Sequence, residues 1–307
     1  MSKYVIIGAG AVGSLVAEQL SAGGHQVSLV SRSGSGPDLP GVSKVAADAS
    51  DATAISALAS GCDAIFNCAN PAYHRWLTDW PPIANALLAA AERSGAVLVT
   101  LSNLYAYGEV TGPISPTMPL SSTLPKAQVR ARMWTDALAA HQAGRIRATE
   151  VRASDFVGPR AQSHLGDRVV PRLAEHKGCQ VLGSADQPHS WTYVGDVAAT
   201  LIACAQNPVA WGRAWHVPTN TARTQRQAID DLADAMGVAH VKVSTVPSVA
   251  LKVMGLFNPL MRELPKTMYQ FTAPFVIDDT ATRTELGLEP TPWPEVLRAT
   301  AAFYATA

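Results

Sequence analysis

Tyr4-Val5-Ile6-Ile7-Gly8-Ala9-Gly10-Ala11-Val12-Gly13 opens the chain with four residues of strand character followed directly by a Gly-x-Gly-x-x-Gly turn. Behind the turn, Val12, Leu15, Val16 and Leu20 recur at helical spacing, and Gly23-Gly24 stops that run before a second apolar segment, 26–30. The unit reads as strand, tight turn, helix and strand. In such a unit the first glycine permits the turn, and the second lets a pyrophosphate approach the backbone. The third lets helix and strand pack closely, and the helix N-terminus faces the anion. The blander reading is a glycine turn that binds nothing; its placement between strand and helix favours a dinucleotide.

Further strand-like runs follow at 43–47, 64–68, 96–101 and 148–151, separated by segments of helical period. Ile83, Leu87, Leu88 and Ala91 share one helical face that ends near Gly95, and 127–140 supplies another helix before Gly144. Six strands with crossover helices predict an α/β fold, a Rossmann-like doubly wound parallel sheet with a smaller C-terminal substrate lobe. The expected division is a cofactor-binding domain at 1–158, with a return around 190–220, and a mainly substrate-binding lobe at 159–307. Segments 224–236 and 247–260 read as helices outside the sheet, and 215–218 and 275–278 as short strands. The irregular segment 108–125 holds Pro113, Pro116, Pro119 and Pro125, and a loop of that length is placed to cover a pocket.

The 307 residues are 48% hydrophobic and 16% charged, which suits a chain that builds one or two sizeable cores rather than a disordered one. Lys+Arg and Asp+Glu balance at 24 each, so no net field favours nucleic acid or an anionic membrane. No apolar run approaches the roughly 20 residues that cross a bilayer, and the Gly-rich start does not read as a signal peptide, so the expected place is the cytoplasm. Cys62, Cys68, Cys179 and Cys204 form no CxxC pair and read as buried or semi-buried thiols. His74, His164, His189 and His216 show neither metal spacing nor a triad partner, and GxSxG and HExxH are absent, so no metal is expected and hydrolase readings fall away.

The second strand ends Val30-Ser31-Arg32-Ser33, without the acid that usually holds the ribose hydroxyls of NAD. Arg32 and Ser33 instead suit a 2′-phosphate, because a guanidinium offers paired donors to phosphate oxygens. NADP(H) is therefore preferred over NAD(H), against the alternative of a solvated loop charge. Asp48, after the third strand, is placed to accept from an adenine amino group, while Ser50 or Asp51 would cap the next helix.

The chain resembles the short-chain dehydrogenase/reductase superfamily, in its extended and atypical branches, the NAD(P)-dependent epimerase/dehydratase group. Beyond the glycine motif, the matching segments are the Asp48 turn, Cys68-Ala69-Asn70, 102–108, and Arg152-Ala153-Ser154-Asp155-Phe156-Val157-Gly158-Pro159, which is similar to RPxNxYGP. Trp191-Thr192-Tyr193-Val194-Gly195-Asp196 is similar to YVxD. The resemblance implies cofactor contacts from Gly8, Gly10, Ala11, Val12, Gly13, Arg32, Ser33, Asp48, Ala69, Asn70, Leu101, Lys126 and Ala153.

Where the family carries its YxxxK pair, this chain has Lys126-Ala127-Gln128-Val129-Arg130. A tyrosine there would deliver a proton while the lysine lowered its pKa, and neither residue type is in its place. The segment resembles the KxxIR of isoflavone-reductase-like members, which nominates Lys126 as acid/base; the alternatives are a cofactor-holding helix start or a solvated face. Tyr105 is a second candidate acid, against simple packing, and Tyr107-Gly108 matches a structural YG. Ser102 is the third catalytic candidate, although Asn103 occupies the position at which the family has Ser or Thr. Tyr73, Trp76, Trp80 and Trp191 are expected around a pocket for a small apolar or aromatic, secondary-metabolite-like substrate.

The expected activity is NADP(H)-dependent oxidoreduction without the usual pair. Epimerase or dehydratase activity with bound cofactor, and a non-catalytic NADP(H)-binding sensor, are the alternatives. Family members often dimerise through the helices after strands four and five, here about 83–91 and 127–140, which leaves a homodimer as one open alternative to a monomer.

Overall fold

The computed structural model describes residues 1–161, 165–247, 263 and 265–305. Strand β1 (Lys3–Ile7) lies inside a seven-stranded sheet, next to its central strand, with β2 (Gln26–Ser31) and β3 (Val42–Ala46) on one side. On the other side stand β4 (Ala64–Asn67), β5 (Val97–Ser102), β6 (Arg147–Arg152) and β10 (Ala214–His216). Every pairing in this sheet is parallel. Strand order reverses between β1 and β4, so all carboxyl ends open on a crevice at that switch point, where doubly wound sheets bind ligands.

Helices cover both faces because the central strands are apolar on both. One face packs Ile6, Phe66, Val99 and Val151 against Val16 and Leu20 of α1 (Ala11–Ala22) and Val197 and Leu201 of α6 (Val194–Gln206). The other packs Val5, Ile65 and Leu98 under α2 (Ala52–Ala59), α3 (Trp76–Ser94) and α4 (Pro125–Gln142), through Ile55, Trp80, Leu87 and Met133. Leu87 and Leu201 are at most 1% exposed, and truncating either to alanine would cost about 2–5 kcal/mol.

A second core gathers β7 (Asp155–Val157), α5 (Val170–Ala174), β8 (Cys179–Val181), β9 (Trp191–Tyr193), α7 (Gln225–Met236) and β11 (Val243–Thr245). With them pack α8 (Tyr269–Thr272) and α10 (Trp293–Ala305), while α9 (Thr280–Leu286) leans on β10 and the first core. Leu173, Trp191, Ile229, Leu232 and Val296 fill this core. A capping box between Thr224 and Gln227 starts α7, and Gly237 in the left-handed region ends it.

Helix α3 begins seven residues before Ile83 and runs through Pro81-Pro82. Those prolines offer no N–H to the carbonyls of Leu77 and Thr78, a gap in the helix ladder that falls in its first turn, where Leu77 is exposed. The strand expected at 275–278 is only a pair of bridges, Phe275 to His189 and Ile277 to Ile114. Ile114 comes from the proline-rich loop, which therefore docks on Leu104, Tyr107, Phe275 and Ile277 as a small core of its own. The helix expected at 247–260 lies, after Pro247, outside the described residues, as does His164. Cys68, Cys179 and Cys204 are buried and Cys62 half-buried, all as free thiols. Among the described residues no helix is long and apolar enough to cross a membrane.

Candidate active site

The glycine turn is built for close approach. Gly8 has φ +105°, and a Cβ on it would stand 2.6 Å from the Cys68 carbonyl oxygen. A Cβ on Gly13 would lie 1.8 Å from the Gly8 oxygen, so only glycine lets α1 press against the turn. Gly10 differs: a Cβ there meets nothing within 4 Å. The turn therefore opens at its middle glycine. Gly10 is also the N-cap of α1 and supplies no side-chain cap, so the amides of Ala11, Val12 and Gly13 point outward without an intrahelical partner. Beside the turn, Asn67 ends β4 in register with Ile7, and its buried Nδ2 has no hydrogen-bond partner among the described residues. An open cradle, uncapped amides and an orphaned amide donor fit a dinucleotide.

At the end of β2, Arg32 is exposed and forms no ion pair with any described residue. The loop folds on itself, with the Ser31 hydroxyl donating to the Ser35 carbonyl at 3.0 Å and Ser33 to the Ser35 hydroxyl at 2.9 Å. Asp48 Oδ1 accepts from the Ser50 amide at 2.9 Å and its hydroxyl at 2.8 Å, bonds that hold the Asp48 carboxyl below the ordinary range. Capping of α2 falls to Asp51, which accepts from the amides of Thr53 and Ala54. Asp48 is thus left outside the helix, facing solvent. Ala69 donates its amide to Asn67 Oδ1 at 3.4 Å, Asn70 is exposed beside it, and Ala153 N donates to Ser102 O at 3.1 Å.

Past the carboxyl end of β5, a cavity of about 260 Å³ is lined by Tyr73, Leu77, Tyr105, Leu124, Lys126 and Glu263, with others. Pro125 at the first helical position sets the backbone that starts α4 and aims Lys126 into this cavity. The Lys126 ammonium is buried, lies 3.8 Å from the centre of the Tyr73 ring, and sits 3.1 Å from Glu263 Oε2. It makes no hydrogen bond of acceptable angle to any described residue, so the contact with Glu263 is one of charge. Glu263 also meets Lys266 at 3.1 Å. Burial pushes the Glu263 carboxyl up, but the two ammonium groups together bring it below the ordinary carboxylate range.

One turn on, Arg130 stacks 4.5 Å from the Trp80 ring centre and donates to the Leu101 carbonyl. Burial lowers its pKa to about 10, and its Nε has no partner among the described residues. Lys126 and Arg130 thus part company: one faces the cavity, the other braces β5 from beneath. Tyr105 is held by Asn103, whose Oδ1 accepts the Tyr105 amide at 3.2 Å in a side-chain turn. Burial, then the nearby Tyr73, Asp155 and Tyr269, raises the Tyr105 hydroxyl well above its ordinary value. Tyr73 is pushed up to about 12, chiefly by burial. Ser102 is buried at the end of β5, outside the cavity lining.

Of the four aromatics expected around the pocket, only Tyr73 lines it. Trp76 and Trp80 pack inward in the sheet core, with Trp76 6.0 Å from Tyr105 by ring centres, and Trp191 packs in the second core. Their indoles are long enough to reach the sheet from the first turns of α3, and burial there outweighs a place at the wall. Two buried polar clusters escaped the sequence reading. Arg152 pairs with Glu150 at 2.6 Å and donates to the Tyr107 hydroxyl at 2.5 Å, which lies 2.9 Å from His216 Nε2. His189 Nε2 lies 2.9 Å from Asp155 Oδ2. The one available signal was position: Asp155 stands inside the Arg152–Pro159 motif, and His189 directly before the Trp191–Asp196 motif.

A family model described as the NAD dependent epimerase/dehydratase family matches residues 4–217. No curated protein matches the chain in sequence. Similar solved structures include the Bordetella bronchiseptica enzyme WbmH in complex with NAD+, at 19% identity and TM-score 0.76, covering 100% of this chain and 99% of that one. A UDP-glucose 4-epimerase from Thermotoga maritima with UDP-glucose is 18% identical with TM-score 0.79, at 99% coverage of both chains. The UDP-N-acetylglucosamine 4-epimerase of Methanobrevibacter ruminantium M1, in complex with UDP-N-acetylmuramic acid, is 15% identical with TM-score 0.83, covering 99% of this chain and 98% of that one.

Proposed function

The chain belongs to the NAD dependent epimerase/dehydratase family, a family of enzymes, and from that premise we propose that it is an NADP(H)-dependent oxidoreductase acting on a small apolar or aromatic substrate. The observation that carries this reading is the Lys126 ammonium, buried in a cavity walled by Tyr73, Leu77, Tyr105 and Leu124, just beyond the carboxyl end of β5. When bound, the cofactor would supply a nicotinamide that gives or takes a hydride. Gly10 and the amides that open α1 would receive its pyrophosphate, Asn67 and Ala69 its neighbouring groups, and Asp48 its adenine amino group. Arg32, which pairs with no acid among the described residues and stands beside Ser33, would hold a 2′-phosphate.

Lys126 is the proposed proton donor. It stands where the family has its tyrosine, it reaches the cavity, and an ammonium carries the proton that a developing alkoxide or enolate requires. Tyr105 is the weaker acid here, since its surroundings raise rather than lower its pKa; its hydroxyl would orient a substrate oxygen. Ser102, outside the lining, would act at most on the cofactor side, with Leu101 and Ala153. The apolar wall suits a substrate without a nucleotide, and the lobe from about residue 159 would shape its far side. Epimerisation or dehydration with retained cofactor is a second reading, favoured by the family match and served by the same lysine.

Titration with NADPH and NADH, followed by nicotinamide fluorescence, tests the reading. NADPH is expected to bind more tightly, and Arg32→Asp to weaken NADPH tenfold or more with NADH little changed, as the loss of one charge-assisted pair implies. Binding of neither cofactor would sink the proposal.

A further inference from the structure

The start of α4 is bare of negative charge. Its first turn holds no acid, its N-cap Leu124 supplies no side-chain hydrogen bond, and Pro125 at the first position has no N–H to give. The amides of Lys126 and Ala127 come next, too early in the helix to meet an intrahelical carbonyl. Pro125, Lys126 and Ala127 all line the cavity, so the positive end of an 18-residue helix opens on it. By itself such an end is common. What sets this one apart is Lys126, 9% exposed, whose ammonium has no hydrogen-bond partner among the described residues and reaches into the same cavity.

The charges of the wall do not cancel. Glu263 Oε2 lies 3.1 Å from the Lys126 ammonium, and Glu263 Oε1 lies 3.1 Å from that of half-exposed Lys266. Burial works against this carboxylate, but the two ammonium groups outweigh it and hold the group below the ordinary range, so it is ionised. Glu263 neutralises one cation, and two are present. Every Asp and Glu of the chain is among the described residues, and of these only Glu263 lines the cavity or pairs with Lys126 or Lys266. Burial raises the hydroxyls of Tyr73 and Tyr105, which therefore keep their protons and add no charge. His74 stands exposed at the mouth, and at about pH 8 an ordinary histidine is neutral.

We propose that the start of α4, with Lys126 and Lys266, seats a carboxylate of the substrate, so that the small apolar or aromatic molecule of the functional reading, on which this inference rests, is a monocarboxylic acid. A monoanion brings the cavity to neutrality with Glu263 in place. A phosphate dianion would overshoot and set a surplus negative charge against Glu263 in a partly buried place. Lys126 has three N–H donors, so it can hold an acid oxygen with one and face the reacting oxygen with another. Leu77, Leu124 and the Tyr73 ring receive the apolar remainder of the molecule. Glu263 competes with the substrate for the same two ammonium groups.

Calorimetric titration of the full chain at about pH 8 tests the assignment, with benzoate, phenylacetate and 3-phenylpropionate each set beside its neutral amide. The amide has nearly the volume of the acid and lacks its charge. At least one acid is expected to bind about tenfold or more tightly than its amide, the effect of one charge-assisted hydrogen bond. Glu263→Gln is expected to tighten that acid further and leave the amide unchanged, and Lys126→Met to erase the advantage of the acid. Acids that bind no better than their amides, or not at all, overturn the proposal in the unaltered protein, without recourse to a variant. An advantage that survives Lys126→Met places the anion elsewhere and also overturns it. The functional reading fails separately: if neither cofactor binds in the fluorescence titration, the oxidoreductase is removed and an acid-binding cavity is left. Equal affinities for acid and amide beside tight NADPH binding remove the carboxylate and leave the oxidoreductase.

Discussion

Lowering the pH from 7 to 5 charges His216 in the unfolded chain but not in the folded one. Its Nδ1 donates to the Asp278 carbonyl at 3.0 Å and its Nε2 accepts from the Tyr107 hydroxyl, whose oxygen takes a hydrogen bond from Arg152. A proton on Nε2 would oppose the hydroxyl proton, with a guanidinium behind it. Burial first, and Arg152 second, lower the His216 pKa from 6.5 to about 3. The sign follows: this contribution to stability is complete above pH 6.5 and is lost progressively as pH falls toward 3. At pH 5, about 1.5 units below the ordinary value, the loss is about 2 kcal/mol at 1.36 kcal/mol per unit, a factor of about 30 in the unfolding constant. Guanidinium unfolding at pH 7 and pH 5, on the unaltered chain and on His216→Gln, measures it. The glutamine is less stable at pH 7 but does not titrate, so carboxylates common to both chains cancel in the difference. The unaltered chain should lose about 2 kcal/mol more than the variant; parallel losses would refute a neutral, hydrogen-bonded imidazole.

Three further outcomes follow from the geometry. Gly13→Ala should fail to fold or lose most of its stability, because its Cβ meets the Gly8 carbonyl, whereas Gly10→Ala should melt like the unaltered chain and lose cofactor affinity; thermal melts with an NADPH titration separate them. Lys126→Met should leave NADPH affinity within a few-fold, lower stability because Glu263 and the Tyr73 face lose their buried ammonium, and reduce turnover of any accepted substrate about 100-fold or more, read from initial rates beside a chemical denaturation curve. Thr224→Ala removes the hydroxyl that accepts from Gln227 N at 3.1 Å, and chemical denaturation should show a cost of about 1 kcal/mol.

The architecture was legible because its signals are local. Four residues of β1, the glycine turn and the Val12–Leu20 periodicity sit within one short segment, and the five strands expected between 26 and 151 fall within about a residue of their expected bounds, while the strand expected at 215–218 ends at His216. The segment 275–278 misled because alternation there reflects two single docking contacts, Phe275 on His189 and Ile277 on Ile114, rather than a ladder. The tryptophans misled for a different reason: residue type says that an indole wants burial, not against which wall. His189 was unreadable as a paired group because its partners stand 34 residues before it and 81 after it. Likewise Lys126 stood out by its motif, but Glu263, which neutralises it, carries no local mark.

The edge-to-face pair of Trp76 and Trp80, with ring centres 6.2 Å apart and Trp76 also edge-on to Tyr73, places two indoles behind the cavity wall. Tryptophan emission overlaps nicotinamide absorption, so the protein carries its own optical gauge at the place where a reduced cofactor would dock. Excitation energy from these indoles would pass to a bound nicotinamide without any added label, and a Trp80→Phe variant would dim that transfer while leaving the wall itself intact.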